Sequence, residues 1–341
     1  NTFSVSIKSD DISNENENAR KIANHYNTNH HEVEITKQNF IEFLPEMVKY
    51  QDEPLADPVS IPLYFVSKLA RDNGVSVIQV GEGADEIFSG YSLYGMLEKF
   101  NRRYYQPFSK LSLPLKKIAL SFGELFLSKQ KIKYLEWATN DIELFWGGVN
   151  VFSEKEKLEI LKNGFCYNSY DEIIDPQYKY FNQKTTNADF IDKMIYIDLN
   201  HRLPELLLMR VDKMAMAASV ETRVPYLDHH LVEFALKIPS SLKIKNGIEK
   251  YILKKSAKDI IPDYVINRKK NGFCGSASNM MSNEIVSFAR DKILKSDWMT
   301  ENFDMNEVST ILDHHQLNYK DNGMKIFNLL NLALWEEEWI N

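Results

Sequence analysis

An α/β fold, built on a parallel sheet and joined to a large helical part, is what this sequence predicts. Three observations lead to this fold class. Strand and helix patterns alternate along the first part of the chain, β-branched residues are frequent in the strand patterns, and most of the remaining chain has the periodicity of amphipathic helices. Strands that alternate with helices form right-handed βαβ units, so we expect the strands to pair in parallel.

Composition places the chain among ordinary globular proteins. Its 341 residues are 44% hydrophobic and 26% charged, which allows a large core. The net charge of −7 disfavours a nucleic-acid partner, and no apolar run reaches the roughly 18 residues that a membrane span requires, so we expect no membrane partner. Two widely spaced cysteines, Cys166 and Cys274, fit a reduced, cytoplasmic location better than a disulfide framework.

The first elements have clear local patterns. Residues 2–7 (TFSVSI) alternate and are rich in β-branched side chains, which predicts a strand. The polar run 8–17 predicts a loop, residues 18–26 a helix, and residues 31–35 (HEVEI) the next strand.

A proline-rich segment occupies residues 52–69. Its three prolines predict a rigid extended loop, and a helix that starts near Pro62. Asp52, Glu53 and Asp57 are interpreted as loop and capping residues, with a functional role as the alternative.

Residues 75–91, VSVIQVGEGADEIFSGY, hold the strongest candidate site. The β-branched run 75–80 predicts a strand buried on both faces, and it leads directly into a glycine-bearing turn and a helix. Such a turn, at the carboxyl end of a parallel strand, is where α/β sheets bind ligands, and backbone N–H groups there can approach a phosphate. Glu82 and Asp85 place two carboxylates in this turn.

Helical patterns dominate the rest of the chain. Residues 99–198 contain no catalytic spacing and are interpreted as core and packing. Farther on, an apolar stripe predicts a helix whose first residue is Pro204; its members are Leu207, Val211, Met214 and Ala218.

Basic residues mark the segment 242–273. Lys250 is predicted to share a helix face with Lys254, and Lys255 and Lys258 are interpreted as solvated. Arg268, Lys269 and Lys270 form a compact positive cluster that suits a pyrophosphate group. The last segment of the chain is predicted to be an acidic amphipathic helix.

Three blocks of this sequence resemble the asparagine synthetase family of the glutamine-hydrolysing type. The blocks are GEGADEIFSGY, the ETRVPYLD of residues 221–228, and the lysine-rich segment 242–273. The resemblance implies an ATP-pyrophosphatase core within one synthetase domain over 1–341. In it, 1–98 would be the α/β nucleotide-binding part, 99–200 a helical part, and 201–341 a helical part that closes over substrate and phosphates.

The resemblance also implies the chemistry and the residues. ATP, with Mg²⁺, would activate aspartate as β-aspartyl-AMP, and ammonia derived from glutamine would then give asparagine. The implied residues are Glu82 and Lys250 for catalysis; Val5, Val80, Gly81, Arg268 and Lys269 for ATP; Glu221 and Arg223 for the acid substrate; and Asp85 for the metal.

Two of these assignments have structural alternatives. Val5 can be a core strand residue while its backbone contacts adenine. Glu221 and Arg223 can form an ion pair that shapes the cleft, or touch the aspartate directly.

Departures from the family pattern are equally informative. Val80 replaces a usual serine, which puts one nucleotide contact in doubt, whereas Glu82 separates the chain from the similar β-lactam synthetases, which have tyrosine there. The 341 residues contain neither an S-G-G-x-D-S phosphate loop nor a glutaminase domain that begins with cysteine. We therefore expect a carboxyl-terminal fragment that is inactive alone.

Two further hypotheses remain open. One is a family amidotransferase that acts on another carboxylate, for example in surface-polysaccharide assembly. The other is a non-catalytic module that binds a nucleotide or a partner. The resemblance is compatible with a homodimer.

Overall fold

Two small parallel sheets and many helices make up the chain. The computed structural model describes residues 1–8, 15–123, 125–140, 142–148, 151–162, 170–268 and 280–340. Strand β1 (Thr2–Ile7) pairs with β2 (His30–Ile35), and β3 (Val77–Gln79) pairs with β4 (Glu221–Arg223). Both pairings are parallel, so this mostly helical chain agrees with the predicted α/β class.

The first βαβ unit agrees closely with the sequence prediction. The register of β1 and β2 runs from Thr2 opposite His30 to Ile7 opposite Ile35, and helix α1 (Glu15–His25) connects the strands. The predicted strands are confirmed, the second beginning one residue earlier than expected. Of the predicted loop 8–17, residues 9–14 lie outside the described residues, and the last three belong to α1.

The strand before the glycine turn is shorter and more exposed than predicted. Only Val77–Gln79 form β3; Ile78 is half-buried and Val77 is 40% exposed. The prediction of burial on both faces was therefore wrong. Burial on both faces requires a wide sheet with helices above and below it, whereas β3 pairs with β4, another three-residue strand.

The remaining helices, in chain order, are α2 (Lys37–Gln51), α3 (Ser60–Asp72), α4 (Ala84–Phe88), α5 (Ser92–Phe100), α6 (Gln106–Ser109), α7 (Leu113–Gly123), α8 (Lys129–Thr139), α9 (Glu154–Ile160), α10 (Tyr170–Lys184), α11 (Phe190–Ile197), α12 (Met209–Ala217), α13 (His229–Lys237), α14 (Ser240–Lys243), α15 (Tyr251–Ser256), α16 (Asp263–Ile266), α17 (Asn283–Lys295), α18 (Asp297–Asn302), α19 (Met305–Gln316) and α20 (Gly323–Trp339). Two stretches of wider, π-type helix, Asn101–Tyr105 and Asp198–Leu208, and a 3₁₀ turn, Pro225–Leu227, complete the described elements. No helix of the described chain is long and apolar enough to cross a membrane.

Helices α11 and α12 are joined without a break through the π-type segment. Pro204 lies inside this run and is not its first residue, so the predicted start was wrong. Proline removes one backbone donor and crowds the carbonyl four residues earlier, and wider turns accommodate both effects. The predicted apolar stripe is confirmed at Leu207, Val211 and Met214, which are buried, whereas Ala218 is half-buried and follows the last residue of α12.

Two large apolar clusters hold the helices together. The first unites α2, α3 and α12 with the carboxyl-terminal helices, and α20 contributes Phe327 and Leu330 to it. The second unites α5, α8, α10 and α11, with Tyr94 and Met194 at its centre. Most aromatic residues of the helical part pack here, as predicted. Helix α4 packs in a third, smaller cluster, where its Ile87 and Phe88 meet Ala235 of α13, and α4 also contacts α15 and the longer π-type segment.

Candidate active site

The turn after β3 is fixed on both sides. The Val80 N–H donates to the carbonyl of Arg223 (2.9 Å), which extends the β3–β4 pairing by one residue. Gly83 then opens α4 with a φ of +92°, and a Cβ there would lie 2.6 Å from Leu227 Cγ. Only glycine fits both requirements. Gly81, in contrast, faces open space. The turn is therefore rigid at one glycine and accessible at the other.

Glu82 is held by a cation that comes from α12. Arg210 Nη2 lies 3.5 Å from Glu82 Oε1, and Arg210 Nη1 pairs with Asp57 in the proline-rich loop. Burial raises the pKa of the Glu82 carboxyl, and the Arg210 guanidinium opposes that rise. A carboxylate that is partly buried and held by one arginine is well suited to accept a proton.

Asp85 pairs with Lys250, the lysine singled out in the sequence. Lys250 Nζ lies 3.0 Å from Asp85 Oδ1, and both side chains are about one quarter exposed. Lys250 precedes α15 with a φ of +50°, so the prediction that it shares a helix with Lys254 was wrong. Because Lys250 lies at the start of α15, its side chain can extend away from that helix and contact α4.

Gly90 makes room for this ion pair. A Cβ at Gly90 would overlap Asp85 Oδ1 and would lie 2.8 Å from Lys250 Cε. The Gly90 N–H also donates to the Asp85 carbonyl (2.7 Å), so the chain folds back over α4 at this point. The glycine in the F-S-G-Y part of the motif is thus a steric requirement of the Asp85–Lys250 pair.

A buried polar network lies behind the turn. The Tyr91 hydroxyl donates to Glu86 Oε1 (2.5 Å), and the Arg202 guanidinium lies 4.6 Å above the Tyr91 ring. Arg202 also lies 4.0 Å from Asp198, to which the Tyr94 hydroxyl donates. The network joins α4 to the helical part of the molecule.

Asp198 is a carboxyl group of this network whose pKa lies above its ordinary value. Burial raises the pKa of Asp198 to about 7, although Tyr94 and Arg202 both oppose the rise. Its Oδ1 atom has no hydrogen-bond partner among the described residues, and neither has Glu86 Oε2. The negative charge of Glu86 adds to the effect of burial in raising the pKa of Asp198.

The pair proposed for the acid substrate lies beside the turn. Arg223 Nε donates to Glu221 Oε1 (2.7 Å), and the two side chains are 64% and 56% exposed. Because Arg223 lies opposite Gln79 in the sheet, the ion pair adjoins the strand that precedes the turn. The ion pair exists, and a direct contact with substrate stays a prediction.

The other predicted residues are more scattered. Val5 packs its side chain into the core opposite Val33, so its adenine contact stays a prediction. Arg268 lies just after α16, and Lys269 lies outside the described residues. Asp57 acts as a loop residue, since its Oδ1 accepts from the Val59 N–H (3.0 Å), but it also holds Arg210.

Sequence reasoning missed Arg210 and Asp198. Arg210 lies off the apolar stripe of α12, a helix that is otherwise well packed. A cation in such a position needs a carboxylate partner, so the sequence could have indicated that Arg210 forms an ion pair. Asp198 and Tyr94 are 104 residues apart and carry no motif that links them.

Asp85 is the residue of the turn that fits Mg²⁺. It offers one carboxylate, which suits a hard cation that takes its remaining oxygens from phosphates and water. The one group of three neighbouring candidate ligands found in the described chain is Asp228, His229 and His230. All three are exposed, Asp228 caps α13, and imidazole is not a preferred ligand of Mg²⁺. Asp85 remains the better candidate.

Comparison with known proteins adds an independent finding. The family model for asparagine synthase matches residues 1–337. The chain is 35% identical over 303 residues to asparagine synthetase (glutamine-hydrolysing) 1 of Bacillus subtilis, covering 88% of this chain and 46% of that protein. It is 28% identical to asparagine synthetase 3 of the same organism (74% and 35% covered) and 24% identical to the Bos taurus asparagine synthetase (75% and 31% covered). The chain thus spans less than half the length of these relatives.

The two glycines give a stability prediction. Gly90→Ala should lower the free energy of unfolding by about 1–3 kcal/mol, because the added methyl overlaps the Asp85–Lys250 pair. Gly81→Ala is the matched control and should change stability by less than about 0.5 kcal/mol, because its methyl meets open space. Urea unfolding of both variants measures this. Equal effects at the two positions would contradict the steric role of Gly90.

Asp198 gives a pH prediction. Its pKa is higher in the folded chain than the ordinary 3.8, so the folded state holds a proton that the unfolded state releases. Stability contributed by this proton is present at low pH and is lost as pH rises towards 7, by up to about 1.4 kcal/mol per pH unit.

Asp198→Asn should remove this dependence while preserving the shape of the side chain. Urea unfolding across the same pH window should show the variant gaining stability relative to the parent as pH rises. Parallel pH curves for parent and variant would show that Asp198 does not titrate as inferred.

Proposed function

The chain belongs to the asparagine synthase family, and on that premise we propose that it is the synthetase part of an enzyme that makes asparagine from aspartate, ATP and glutamine-derived ammonia. The observation that carries this proposal is the arrangement at the start of α4. Glu82 and Asp85 stand three residues apart there, and each is paired with a cation from a distant segment. We place the reaction in the cytoplasm, on an ATP-pyrophosphatase-like core.

The proposed reaction has two steps. The β-carboxylate of aspartate attacks the α-phosphorus of ATP, the bond to the β-phosphate breaks, and pyrophosphate leaves. The nitrogen of ammonia then attacks the activated carbonyl, and AMP leaves as asparagine forms. Because one anion attacks another in the first step, catalysis must be largely electrostatic, through cations and N–H groups placed in advance.

The cations of the site serve the first step. Lys250 would neutralise phosphate charge, and Arg268 and Lys269 would bind the pyrophosphate. Asp85 would hold Mg²⁺, which supplies charge neutralisation at the phosphates when it is bound. Gly81 would present its backbone N–H to the nucleotide, because a Cβ at this position would meet no described atom within 4 Å. Val80 would contribute its carbonyl, since its N–H already donates to the Arg223 carbonyl.

Glu82 serves the second step. Its carboxylate lies in the same turn as Asp85 and is held by Arg210, so it would accept a proton from the attacking ammonia. Glu221 and Arg223, beside the same turn, would bind or frame the acid substrate.

Arg210 gives a test of how Glu82 is prepared. Removing the guanidinium in Arg210→Gln should raise the pKa of Glu82 further, because the cation opposes the rise caused by burial. A base must be ionised to accept a proton, so the acidic limb of kcat/KM should move to higher pH. Lys213→Gln is the control: it removes a cation of the same helix that pairs with Asp52. An unchanged profile in Arg210→Gln would contradict this role.

The proposed function is tested in the full-length protein that carries this chain. With ATP, aspartate and an ammonia source, we expect pyrophosphate and asparagine in equal amounts. Lys250→Ala should reduce pyrophosphate release about a hundredfold or more, because it removes a cation from the phosphates. Glu82→Gln should reduce asparagine formation by a similar factor.

Other outcomes would decide against parts of the proposal. If pyrophosphate were released only with a carboxylate other than aspartate, the amide-forming reaction would still be supported, but aspartate would not be the substrate. Nucleotide binding without pyrophosphate release for any carboxylate would favour the non-catalytic module. The 341-residue chain alone should not catalyse ATP–pyrophosphate exchange, because its sequence lacks the S-G-G-x-D-S loop.

A further inference from the structure

Helix α7 carries a row of apolar side chains that point away from the protein. Leu115, Ile118 and Phe122 recur at the spacing of one helix face, and each is more than half exposed. The opposite face is anchored, because the buried Lys116 Nζ donates to the Ala138 carbonyl of α8 (2.8 Å). The orientation of α7 therefore leaves these side chains in solvent.

The turn after α7 continues this surface. Leu125 is 73% exposed and Phe126 is 84% exposed. We call these five residues the apolar ridge: Leu115, Ile118, Phe122, Leu125 and Phe126. Single exposed apolar residues are common on proteins, but a continuous group of this kind marks an interaction surface.

The charge around the apolar ridge is opposite to that of the whole chain. Residues 99–133 contain nine basic side chains and one acidic side chain, although the chain carries a net charge of −7. Lys117 is exposed on α7 itself, and Lys110 is exposed just before it. Arg103 and Lys131 both lie near the Tyr104 ring, at 5.5 and 5.7 Å from its centre, so a basic residue that precedes α7 and one on α8 come together there.

We propose that the apolar ridge docks on an anionic lipid surface, with α7 lying in the plane of the interface. Leucine and phenylalanine would enter the boundary between headgroups and acyl chains, and the surrounding lysine and arginine would face lipid phosphates. A protein partner is the less suitable occupant, because lysine is depleted from the buried parts of protein interfaces. The attachment is peripheral, since the 11 residues of α7 are about half of what a span requires.

Vesicle sedimentation with the full-length protein tests this proposal independently of catalysis. We expect binding to vesicles of phosphatidylcholine mixed with phosphatidylglycerol, little binding to phosphatidylcholine alone, and weakening by added salt. Ile118→Glu and Phe122→Glu should each weaken binding roughly ten- to hundredfold, because each removes one inserted apolar side chain. Lys117→Glu should weaken it about fivefold or more.

Leu158→Glu is the matched control. Leu158 is 70% exposed on α9, outside the apolar ridge and between Lys157 and Glu159, whose charges are opposite, so this change should leave vesicle binding unchanged. Circular dichroism and thermal unfolding should show that all variants remain folded. Absence of binding to anionic vesicles would overturn the proposal. So would equal loss in Leu158→Glu, or a self-association that Ile118→Glu abolishes while the parent protein does not bind vesicles.

Discussion

The structure depends on the neutralisation of two acidic side chains at the start of one short helix. Glu82 and Asp85 lie where β3 ends and α4 begins, both only partly accessible to water. A carboxylate withdrawn from water without a partner is strongly destabilising, so each needs a cation close by. Arg210 and Lys250 meet this need from different helical segments. Ion pairs therefore contribute as much as apolar contacts to the packing of α12 against the turn. The same holds for the segment before α15.

This arrangement demands unusual backbone geometry nearby. Gly83 adopts a positive φ against Leu227, Gly90 leaves no room for a side chain, and Lys250 itself has a positive φ. A non-glycine residue in the left-handed region costs about 1 kcal/mol or more, and such costs concentrate at functional sites because the surrounding structure holds the residue in place. The small apolar cluster of Ile87, Phe88 and Ala235, against which Leu253 of α15 packs, supplies part of that support.

The sequence predicted best those structural features that depend on residues close together in the chain. Strands β1 and β2 and the stripe on α12 arise from short patterns, and the structure agrees. The burial of β3 and the existence of β4 depend on neighbouring strands, so a three-residue strand leaves no pattern of its own. The motif residues Glu82, Asp85 and Lys250 were identified from the family pattern, and the structure brings them to one turn. The pairing of Arg210 with Glu82 is a tertiary contact between segments that no local pattern connects.

Under the proposed function, the Asp85–Lys250 pair keeps the site electrically balanced before substrates arrive. Asp85 would hold Mg²⁺ in place of the Lys250 ammonium, and Lys250 would pair with a phosphate of ATP in place of the Asp85 carboxylate. Neither side chain then passes through a state with an unpaired buried charge, which would be the costly step. Glu82 keeps Arg210 throughout, because that arginine is fixed on its other side by Asp57. In the proposed reaction the Asp85–Lys250 pair would therefore rearrange, while the Glu82–Arg210 pair would stay in place.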